Sequence, residues 1–440
     1  MGDSGMTGNG EKNRVVVTGL GLVTSLGNDV KTTWTRILES KSGISRISKW
    51  ENLDEMIARY NLPNRFPLIA GETKNFKIKE IIQQRKINST REDFKRIRQI
   101  DPFIGYACAA SLEAVRDAGL ALPFTNSAKV GVSIGSGQGG VQTWEEQHRR
   151  MMAGKKLSPF FIPRQLANLA SGNVSILLGT RGINLCPSTA CAAGAHAVGQ
   201  AFRTVQLGLN DIVIAGGSEA AITPLNIYGF HSLKALSTAN CDPEKASRPF
   251  DSARDGFVMA EGAGILILEN LQSALKRKAR IYAEIAGYAE TADAYHITEP
   301  EINGPINCMS LALEDAGISP EMVDLINPHA TSTPKGDVNE ARAIDKLFGC
   351  NNGRPVITAN KSQIGHALGA AGAIEAVLSA LSIRDGIVPP ILNLENPIEE
   401  YAELNYVRGK AKSLEINVAI SNSFGFGGTN ACLAFRKFNN

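Results

Sequence analysis

Short runs of Val, Ile, Leu and Ala alternate along the chain with longer segments whose apolar residues recur at helical spacing. The short runs are typical of buried strands, and the longer segments of helices packed on a sheet. We predict strands over residues 14–19, 129–135, 182–185, 211–217, 262–269, 281–287, 323–327, 355–358, 418–423 and 431–435. We predict helices over residues 30–40, 101–118, 143–152, 192–207, 305–317, 337–348 and 369–384. This alternation predicts parallel sheets that are covered on both faces.

The pattern also divides the chain. Residues 48–90 are polar and irregular, which predicts a surface excursion, and two prolines bracket the apolar residues 159–163, which excludes a central strand there. After about residue 280 the alternation starts again, which suggests a duplicated α/β unit. We therefore predict a disordered tail over residues 1–13, an N-terminal half over 14–278 and a C-terminal half over 279–437.

Composition excludes several classes of protein. The net charge of +3 gives no overall attraction to nucleic acid. The seven cysteines are scattered without a CxxC pair, which argues against disulfide frameworks and metal sites and favours a reducing compartment. No apolar run reaches the roughly 18–20 residues of a membrane span. The first residues resemble neither a signal nor a transit peptide. We expect a cytosolic protein, with a mitochondrial or plastid matrix protein that has lost its transit peptide as the alternative.

Cys191 is the residue that points most directly to chemistry. It lies between the predicted strand 182–185, which we expect to be buried, and the helix 192–207, at a strand-to-helix elbow. Unpaired N–H groups and the helix dipole lower the pKa of a thiol at such a position, and an elbow directs a side chain outward. Cys191 is therefore predicted to be a nucleophile.

Gly135 to Gly140 match the spacing GxGxxG after a strand and before a helix. A complete dinucleotide fingerprint also requires an acidic residue about 20 positions further on, after a second strand. That region holds Lys155 and Lys156 instead. We interpret the glycines as tight turns.

Two of the six histidines stand out. His329 follows the predicted strand 323–327, and His366 follows the strand 355–358 after Lys361. His196 lies five residues beyond Cys191 on the same helix and therefore faces about 140° away from it. The others have no supporting context: His148, His231 and His296. Because sites form at the carboxyl ends of parallel strands, Cys191, His329 and His366 are predicted to converge.

This set allows two chemistries. One Cys with one His would suit a papain-like hydrolase. Two neutral imidazoles beside a Lys can instead donate hydrogen bonds to one enolate oxygen, which suits carbanion chemistry on a thioester. Residues 422–430 form a Gly-rich turn around Phe426 that predicts either a packed hairpin or a gate with an oxyanion donor.

At this point the chain resembles the β-ketoacyl-acyl-carrier-protein synthases of type II, the elongating condensing enzymes of fatty-acid synthesis. The resemblance covers about residues 14–437. It is carried by the motifs at 15–19, 158–163, 189–191, 248–251, 254–257, 329–337, 361–366 and 422–430. It implies a thiolase-like fold, in which two duplicated halves form a five-layer α-β-α-β-α sandwich, and a homodimer. It implies no cofactor, because the phosphopantetheine arm arrives on acyl carrier protein.

The resemblance also implies roles for individual residues. Cys191 would accept the acyl chain from acyl carrier protein, and His329 and His366 would promote decarboxylation of malonyl carrier protein and stabilise the enolate. The supporting residues are Lys361 and Glu375 around the histidines, the N–H groups of Cys191 and Phe426 as oxyanion hole, Phe426 as gate, Phe161 (across the dimer), Phe230 and Gln138 at the acyl pocket, and Thr331 and Thr333 on the pantetheine.

Acyl carrier protein is acidic, so a basic patch is expected to receive it. The residues at the family's docking position are Lys95, Arg98, Lys155, Lys156 and Lys234. Gln138 replaces the apolar residue of many relatives, which leaves chain length open. Two alternatives remain: a thiolase, which uses a second Cys as acid and base, and a non-condensing partner subunit, which lacks the nucleophile that Cys191 supplies.

Overall fold

The computed structural model describes residues 12–50, 66–78, 80, 99–349 and 355–439. Fourteen strands lie in these residues: β1 Val15–Val23, β2 Ser45–Arg46, β3 Ile69–Ala70, β4 Val130–Gly135, β5 Asn184–Leu185, β6 Ile212–Glu219, β7 Gly262–Asn270, β8 Ala283–Ala292, β9 Leu325–Asn327, β10 Val356–Ile357, β11 Ile387–Val388, β12 Lys412–Ser413, β13 Val418–Gly425 and β14 Thr429–Arg436.

The same residues form thirteen α-helices: α1 Val30–Leu38, α2 Pro102–Asp117, α3 Val141–Met152, α4 Phe161–Gln165, α5 Leu169–Leu178, α6 Ala193–Gln206, α7 Pro224–Ser232, α8 Pro243–Ala246, α9 Leu271–Lys276, α10 Asn303–Ala316, α11 Pro334–Phe348, α12 Lys361–Ile364 and α13 Ala371–Asp385. Side-chain caps match the sequence, since Asp29 caps α1 and Asp101 caps α2 ahead of Pro102. No described helix is long and apolar enough to cross a membrane.

The strands of the main sheet fall into two sets with the same internal order. The order is β5-β4-β6-β7-β1 in the first set and β10-β9-β13-β14-β8 in the second. If the five strands of each set are numbered 1 to 5 in chain order, both sets have the spatial order 3-2-4-5-1. The sets meet where β1 pairs antiparallel with β8 at Val15, Val16 and Val17. This repetition is the duplicated fold that the sequence predicts.

Helices α6 and α13 form a central layer between the two sets. One apolar cluster joins Val198 of α6 and Val377 of α13 to Leu268 of β7 and Leu433 of β14. Helix α13 is buried along nearly its whole length, as its apolar residues on every side require.

The outer faces are covered separately. Alternate residues of β7 point the other way, so that Ile265 packs with Phe103 and Leu112 of α2. Met309 of α10 packs on Ile420 of the second set. Helices therefore alternate with sheets in five layers, and the predicted fold class is confirmed.

Four expectations are corrected by the structure. The sheets are mixed and not parallel throughout, because β7 and β14 return antiparallel to their neighbours and β1 and β8 join them antiparallel. Strand β5 is exposed, since it lies at an open sheet edge. Residues 66–73 are buried and contribute β3, so that part of the excursion belongs to the core. Asn13 donates a backbone hydrogen bond to Gln206, whereas residues 1–11 lie outside the described residues.

Candidate active site

Cys191 lies in a 3-10 turn, Ala190–Ala192, that leads directly into helix α6. Ala190 has a φ of +49°, a left-handed conformation that a residue with a side chain adopts only at a cost. Thr189 Oγ1 and His196 Nδ1 lie 2.7 Å apart and brace this turn. His196 is therefore engaged at the turn, in agreement with the prediction that it does not serve as the base of Cys191.

The environment of the thiol differs from the one that the elbow suggested. Cys191 is half-buried and packs against an apolar cluster that includes Phe257, Met259 and Leu368, so it does not point outward. Burial raises the pKa of the Cys191 thiol to about 12, whereas Lys361 and the N–H groups of Cys191 and Phe426 lower it. The expectation of a lowered pKa was wrong, because desolvation is the largest effect. The resting thiol is protonated at neutral pH.

The two histidines lie side by side at neighbouring strand ends. His329 follows β9, and His366 follows α12 beyond β10. Their ring centroids are 5.3 Å apart with an interplanar angle of 85°. Within the described residues, Nδ1 of His329 and both ring nitrogens of His366 are buried without a hydrogen-bond partner. These nitrogens are available to a ligand.

Both imidazoles are neutral at neutral pH. Burial lowers the pKa of His329 and of His366 well below the usual value of 6.5, and the positive charge of Lys361 lowers both further. A neutral imidazole keeps one N–H donor. The pair can therefore donate two hydrogen bonds to a single oxygen, as the sequence predicts.

Lys361 and Glu375 form a buried ion pair beneath the histidines. Lys361 is only 1% exposed, and its Nζ donates to Glu375 Oε1. Burial raises the pKa of Glu375 to about 7, against the opposing effect of Lys361. Lys361 thus pairs with Glu375 in the interior, and its charge acts on both imidazole rings.

Sequence reasoning missed the residue that holds the His329 loop. Glu340 of α11 accepts hydrogen bonds from the N–H of His329 (2.8 Å) and of Ala330 (2.6 Å), and a longer one from Asn422 Nδ2. A signal was present, since Glu340 lies on the same helix face as the buried Ala341 and Ile344.

The Gly-rich segment is both a hairpin and a neighbour of the thiol. Strands β13 and β14 pair across it, and Phe426 at its tip is 38% exposed. Gly425 faces the turn of the nucleophile, because a Cβ there would lie 2.8 Å from the carbonyl oxygen of Thr189. Gly427 has a φ of +87° and donates to the carbonyl of Ile297 (2.7 Å).

Aromatic rings connect this hairpin to the histidines. The ring centroids of Phe426 and Phe230 are 6.3 Å apart, those of Phe230 and Phe257 are 5.3 Å apart, and those of Phe257 and His366 are 5.3 Å apart. Phe161, in α4, makes no ring contact with any of them within the described part of the chain. The structure thus brings Phe230 and Phe426 together and leaves Phe161 apart.

An apolar cluster adjoins Cys191 on the side of Gln138. Val141, Ile222, Ile227, Leu368 and Phe230 belong to it. Gln138 Oε1 accepts a hydrogen bond from Asn226 Nδ2 (2.6 Å), and the same Asn226 also donates to Ala221 (3.0 Å). A polar pair therefore borders this apolar region, and Asn226 was not expected from the sequence.

Thr331 and Thr333 lie at the start of α11. Their hydroxyl oxygens are 3.2 Å apart, and Thr333 is the N-cap residue of the helix. Arg254 holds this turn by donating to the carbonyls of Thr333 (3.0 Å) and Pro334 (2.6 Å).

The predicted basic patch is only partly described. Lys155, Lys156 and Lys234 are exposed, whereas Lys95 and Arg98 lie outside the described residues. In the described part of the chain no group of three or more His, Cys, Asp or Glu could hold a metal ion.

Comparison with known proteins places these features in a family. The family "Beta-ketoacyl synthase, N-terminal domain" matches residues 12–274, and "Beta-ketoacyl synthase, C-terminal domain" matches residues 282–395. The curated relatives include a 3-oxoacyl-[acyl-carrier-protein] synthase 2 from Synechocystis sp., which is 46% identical over 97% of this chain and 99% of its own length. The same description belongs to a Coxiella burnetii protein that is 45% identical, with the same coverage.

Solved structures agree with the sequence relatives. A β-ketoacyl synthase from Burkholderia phymatum has a TM-score of 0.86 at 31% identity and covers 97% of this chain and 100% of its own. A ketosynthase bound to the hexaketide, in complex with its type II PKS acyl-carrier protein, has a TM-score of 0.85 at 32% identity with the same coverage. Because the family matches span most of the chain and the curated relatives share nearly half of its residues, this chain belongs to the β-ketoacyl synthase family.

Proposed function

We propose that this protein is an elongating condensing enzyme of fatty-acid synthesis, a 3-oxoacyl-[acyl-carrier-protein] synthase of type II. The observation that carries the proposal is the buried pair of neutral imidazoles, His329 and His366, with unpartnered ring nitrogens beside Lys361. Such a pair stabilises an enolate, which a hydrolase does not need. The relatives described as 3-oxoacyl-[acyl-carrier-protein] synthase 2 support the same reaction.

The first step is acyl transfer. The Sγ atom of Cys191 attacks the thioester carbonyl of acyl carrier protein, and the phosphopantetheine thiol leaves with the proton that Cys191 loses. The oxygen that becomes negative accepts hydrogen bonds from the N–H groups of Cys191 and Phe426, which already interact with the thiol at rest. Because the resting thiol is protonated, proton loss accompanies the attack.

The second step forms the carbon–carbon bond. The bond between the malonyl carboxylate and its α-carbon breaks, CO₂ leaves, and the enolate oxygen accepts hydrogen bonds from His329 and His366. The α-carbon attacks the acyl-Cys191 carbonyl, and Sγ leaves and regains a proton. The product is a 3-oxoacyl carrier protein that is two carbons longer. Burial and, to a lesser extent, the charge of Lys361 keep the imidazoles neutral, and Glu375 orders Lys361.

The remaining assignments follow from the resemblance to the family. Thr331 and Thr333 would bind the pantetheine, Phe426 would gate the acyl pocket, and Phe230 and Gln138 would line it. No organic cofactor or metal takes part in this scheme. The division into halves at 14–278 and 279–437 is supported by the repeated strand order of the two sets.

The acidic carrier protein would dock on a basic surface. Lys155 and Lys156 follow α3 and are exposed, as are Arg149 and Arg150 near the end of that helix. Lys234 lies just beyond α7, near the apolar cluster at Cys191. This arrangement would direct the arm of the carrier towards Cys191 by charge complementarity.

A second copy of the chain would complete the enzyme. The edge strand β5 is exposed, and several large apolar side chains near it in the sequence are exposed as well: Phe160, Ile162, Leu166, Ile176 and Leu185. Open edges and exposed apolar side chains mark association surfaces. A homodimer would bury them and bring Phe161 to the partner's pocket. A bacterial cytosol would suit such an enzyme.

The test is a condensation assay with acyl and malonyl carrier proteins, in which products are weighed by mass spectrometry. The proposal predicts CO₂ release and a 3-oxoacyl carrier protein with wild type, and none with Cys191→Ala. Products from two acyl coenzyme A molecules without malonyl carrier would indicate a thiolase instead. Wild-type protein that binds carrier protein and forms no product would indicate a non-condensing subunit.

A further inference from the structure

Glu219 is a fully buried carboxylate that the reaction scheme does not use. It ends strand β6, opposite Gly262 of β7, and has 0% exposure. A buried carboxylate is costly unless its oxygens accept hydrogen bonds. Glu219 therefore has to be explained by what surrounds it.

Both carboxylate oxygens of Glu219 accept hydrogen bonds, and the donors come from two loops, residues 136–138 and the turn at Gly369. Oε1 accepts from Ser136 Oγ (3.0 Å) and the N–H of Gln138 (3.2 Å). Oε2 accepts from the N–H of Gly137 (2.7 Å) and of Gly369 (3.0 Å). Every partner is a donor, which favours the ionised carboxylate.

The backbones of Gly137 and Gly369 reach the Glu219 carboxylate only because neither residue has a side chain. A Cβ on Gly137 would lie 2.9 Å from Glu219 Oε2, and one on Gly369 would lie 2.7 Å from it. The two backbones can therefore approach the carboxylate only as glycine. The loop 136–138 also abuts the nucleophile turn, since a Cβ on Gly137 would lie 3.3 Å from the carbonyl oxygen of Ala190.

The two turns that meet here are both strained. Ala190, before Cys191, has a φ of +49°, and Leu368, before Gly369, has a φ of +46°. Left-handed residues with side chains are strained, and they persist where their surroundings hold them. The hydrogen bond from Gly369 to Glu219 holds the second turn directly, and α13, which carries Glu375, begins just beyond it.

We propose that Glu219 is a positioning residue that fixes the loop of Gln138 and the turn before α13 against Cys191, and that its negative charge acts on the thiol. The inference rests on the proposed function for its effect on condensation. Glu219 does not touch substrate. It acts by setting where the acyl-pocket wall lies relative to the nucleophile and how readily the thiol ionises.

The electrostatic effect has a definite sign. Burial is the largest cause of the raised pKa of Cys191 and of Cys186; the carboxylate of Glu219 raises both further, whereas Lys361 lowers that of Cys191. Four donors lower the pKa of Glu219 against burial, which raises it to about 7. Above that pH the residue carries its charge, and removal of the charge would favour the thiolate of Cys191.

Two substitutions separate charge from geometry. Glu219→Gln removes the charge at the same length, and Glu219→Asp keeps the charge but shortens the reach. The readout is the pH profile of Cys191 alkylation by iodoacetamide between pH 7 and 10, followed on its own peptide by mass spectrometry. Glu269→Gln is the matched control, because Glu269 is also fully buried but lies at the far end of β7, opposite Ile212.

With Glu219→Gln, the alkylation profile should move to lower pH by about one unit, so that the rate at pH 8 rises about 10-fold. Glu219→Asp should keep the wild-type profile and lose about 10-fold in kcat/KM of condensation. The Glu269→Gln control should lower the melting temperature without moving the profile. An unmoved profile in Glu219→Gln, or an equal shift in Glu219→Asp, would overturn the proposal.

If Glu219→Gln does not fold, Gly137→Ala replaces it. The added methyl displaces the carboxylate, so condensation should fall about 10-fold. Unchanged condensation would overturn the positioning role. Alkylation needs no carrier protein, so a wild type without condensing activity would refute the proposed function and leave the charge effect of Glu219 to be decided by the alkylation profiles.

Discussion

At the scale of single residues, Lys361 acts on the titratable groups of the site. Its positive charge lowers the pKa of Cys191, His329 and His366, and it is paired with Glu375 in the interior. Removing one partner of a buried ion pair destabilises a protein by about 3–5 kcal/mol, so neither Lys361 nor Glu375 can be replaced without a large loss of stability. In the proposed mechanism, Lys361 is therefore the charge that acts on both the thiol and the two imidazoles.

Replacing Lys361 by Met should therefore raise the pKa of both histidines. The wild-type rings should keep neutral-imidazole ¹⁵N shifts at pH 6.5, because burial and Lys361 both lower their pKa. In the variant the rings should titrate about one unit or more higher. Lys49→Met is the control, since Lys49 pairs with Glu261 and is not among the charges that lower the pKa of either ring. Protonated rings at pH 6.5 in wild type would contradict the mechanism.

Gln138 is expected to influence chain length. Its hydrogen bond to Asn226 places a polar pair beside the apolar cluster at Cys191. Gln138→Leu should favour longer acyl chains by up to about 10-fold, since apolar wall replaces polar wall. Competition between acyl carriers with 8 and 14 carbons measures this, with Gln142→Leu, which alters a neighbouring donor to Ala220, as the control. Equal chain-length selectivity in Gln138→Leu and wild type would show that Gln138 does not line the acyl pocket.

At the scale of elements, the hairpin β13–β14 packs closely against the turn of Cys191, and we predict that this contact couples the proposed gate to the thiol. Gly425→Ala would place a methyl 2.8 Å from the carbonyl oxygen of Thr189 and 2.7 Å from Thr429 Oγ1. The hairpin must then move away from Cys191, and acyl transfer should fall about 10-fold or more. Burst formation of acyl-enzyme in a quench-flow experiment measures this rate.

Gly409→Ala provides the comparison for the gate. Gly409 has a φ of +75° and open space around a Cβ, so it carries backbone strain without a clash. We expect a loss of about 1 kcal/mol in unfolding free energy and an unchanged rate of acyl transfer. If Gly425→Ala behaves in the same way, the gate is not coupled to the nucleophile turn.

Elements differ in how well the sequence predicts them. The apolar patterns of helix α13 and strand β7 were sufficient to predict both elements. The positions of His329 and His366 after strand ends could be predicted from the small and polar residues that follow those strands. Strand direction was mispredicted, because alternation of strands and helices does not show that β7 returns antiparallel after a long connection. The contacts of Glu219 were missed because long-range backbone donors to a carboxylate leave no local pattern, whereas Glu340 was missed although its place on the buried face of α11 was a signal.

The pKa of Cys191 shows a second limit of the sequence. A helix start next to a thiol is visible in the residues, whereas the apolar cluster that surrounds it comes from distant segments such as 257–259 and 368. Burial therefore reversed the expected direction of the shift. The local signal placed Cys191 correctly at the start of helix α6 and misjudged the direction of its pKa shift.

At the scale of the whole molecule, exposed apolar side chains predict self-association. Leu185 is 43% exposed on the edge strand β5, and Ile162 is 53% exposed on α4. If these surfaces form a homodimer, Leu185→Asp should yield monomers, because a charge would be buried without a partner. Light scattering should give twice 47.0 kDa for wild type and 47.0 kDa for the variant. Leu275→Asp is the control, because Leu275 of α9 is exposed to a similar degree (45%). A wild type at 47.0 kDa would refute the dimer.

The central claim is that Cys191 carries the acyl chain and that His329 and His366 act only in the step that follows. Intact-protein mass spectrometry in a single turnover tests it most directly. With acyl carrier protein alone, wild type, His329→Ala and His366→Ala should each gain one acyl group on the peptide of Cys191. After malonyl carrier protein is added, wild type should lose that group to a product two carbons longer, whereas both variants should retain it. An acyl group on another residue, or histidine variants that clear it as fast as wild type, would contradict the account.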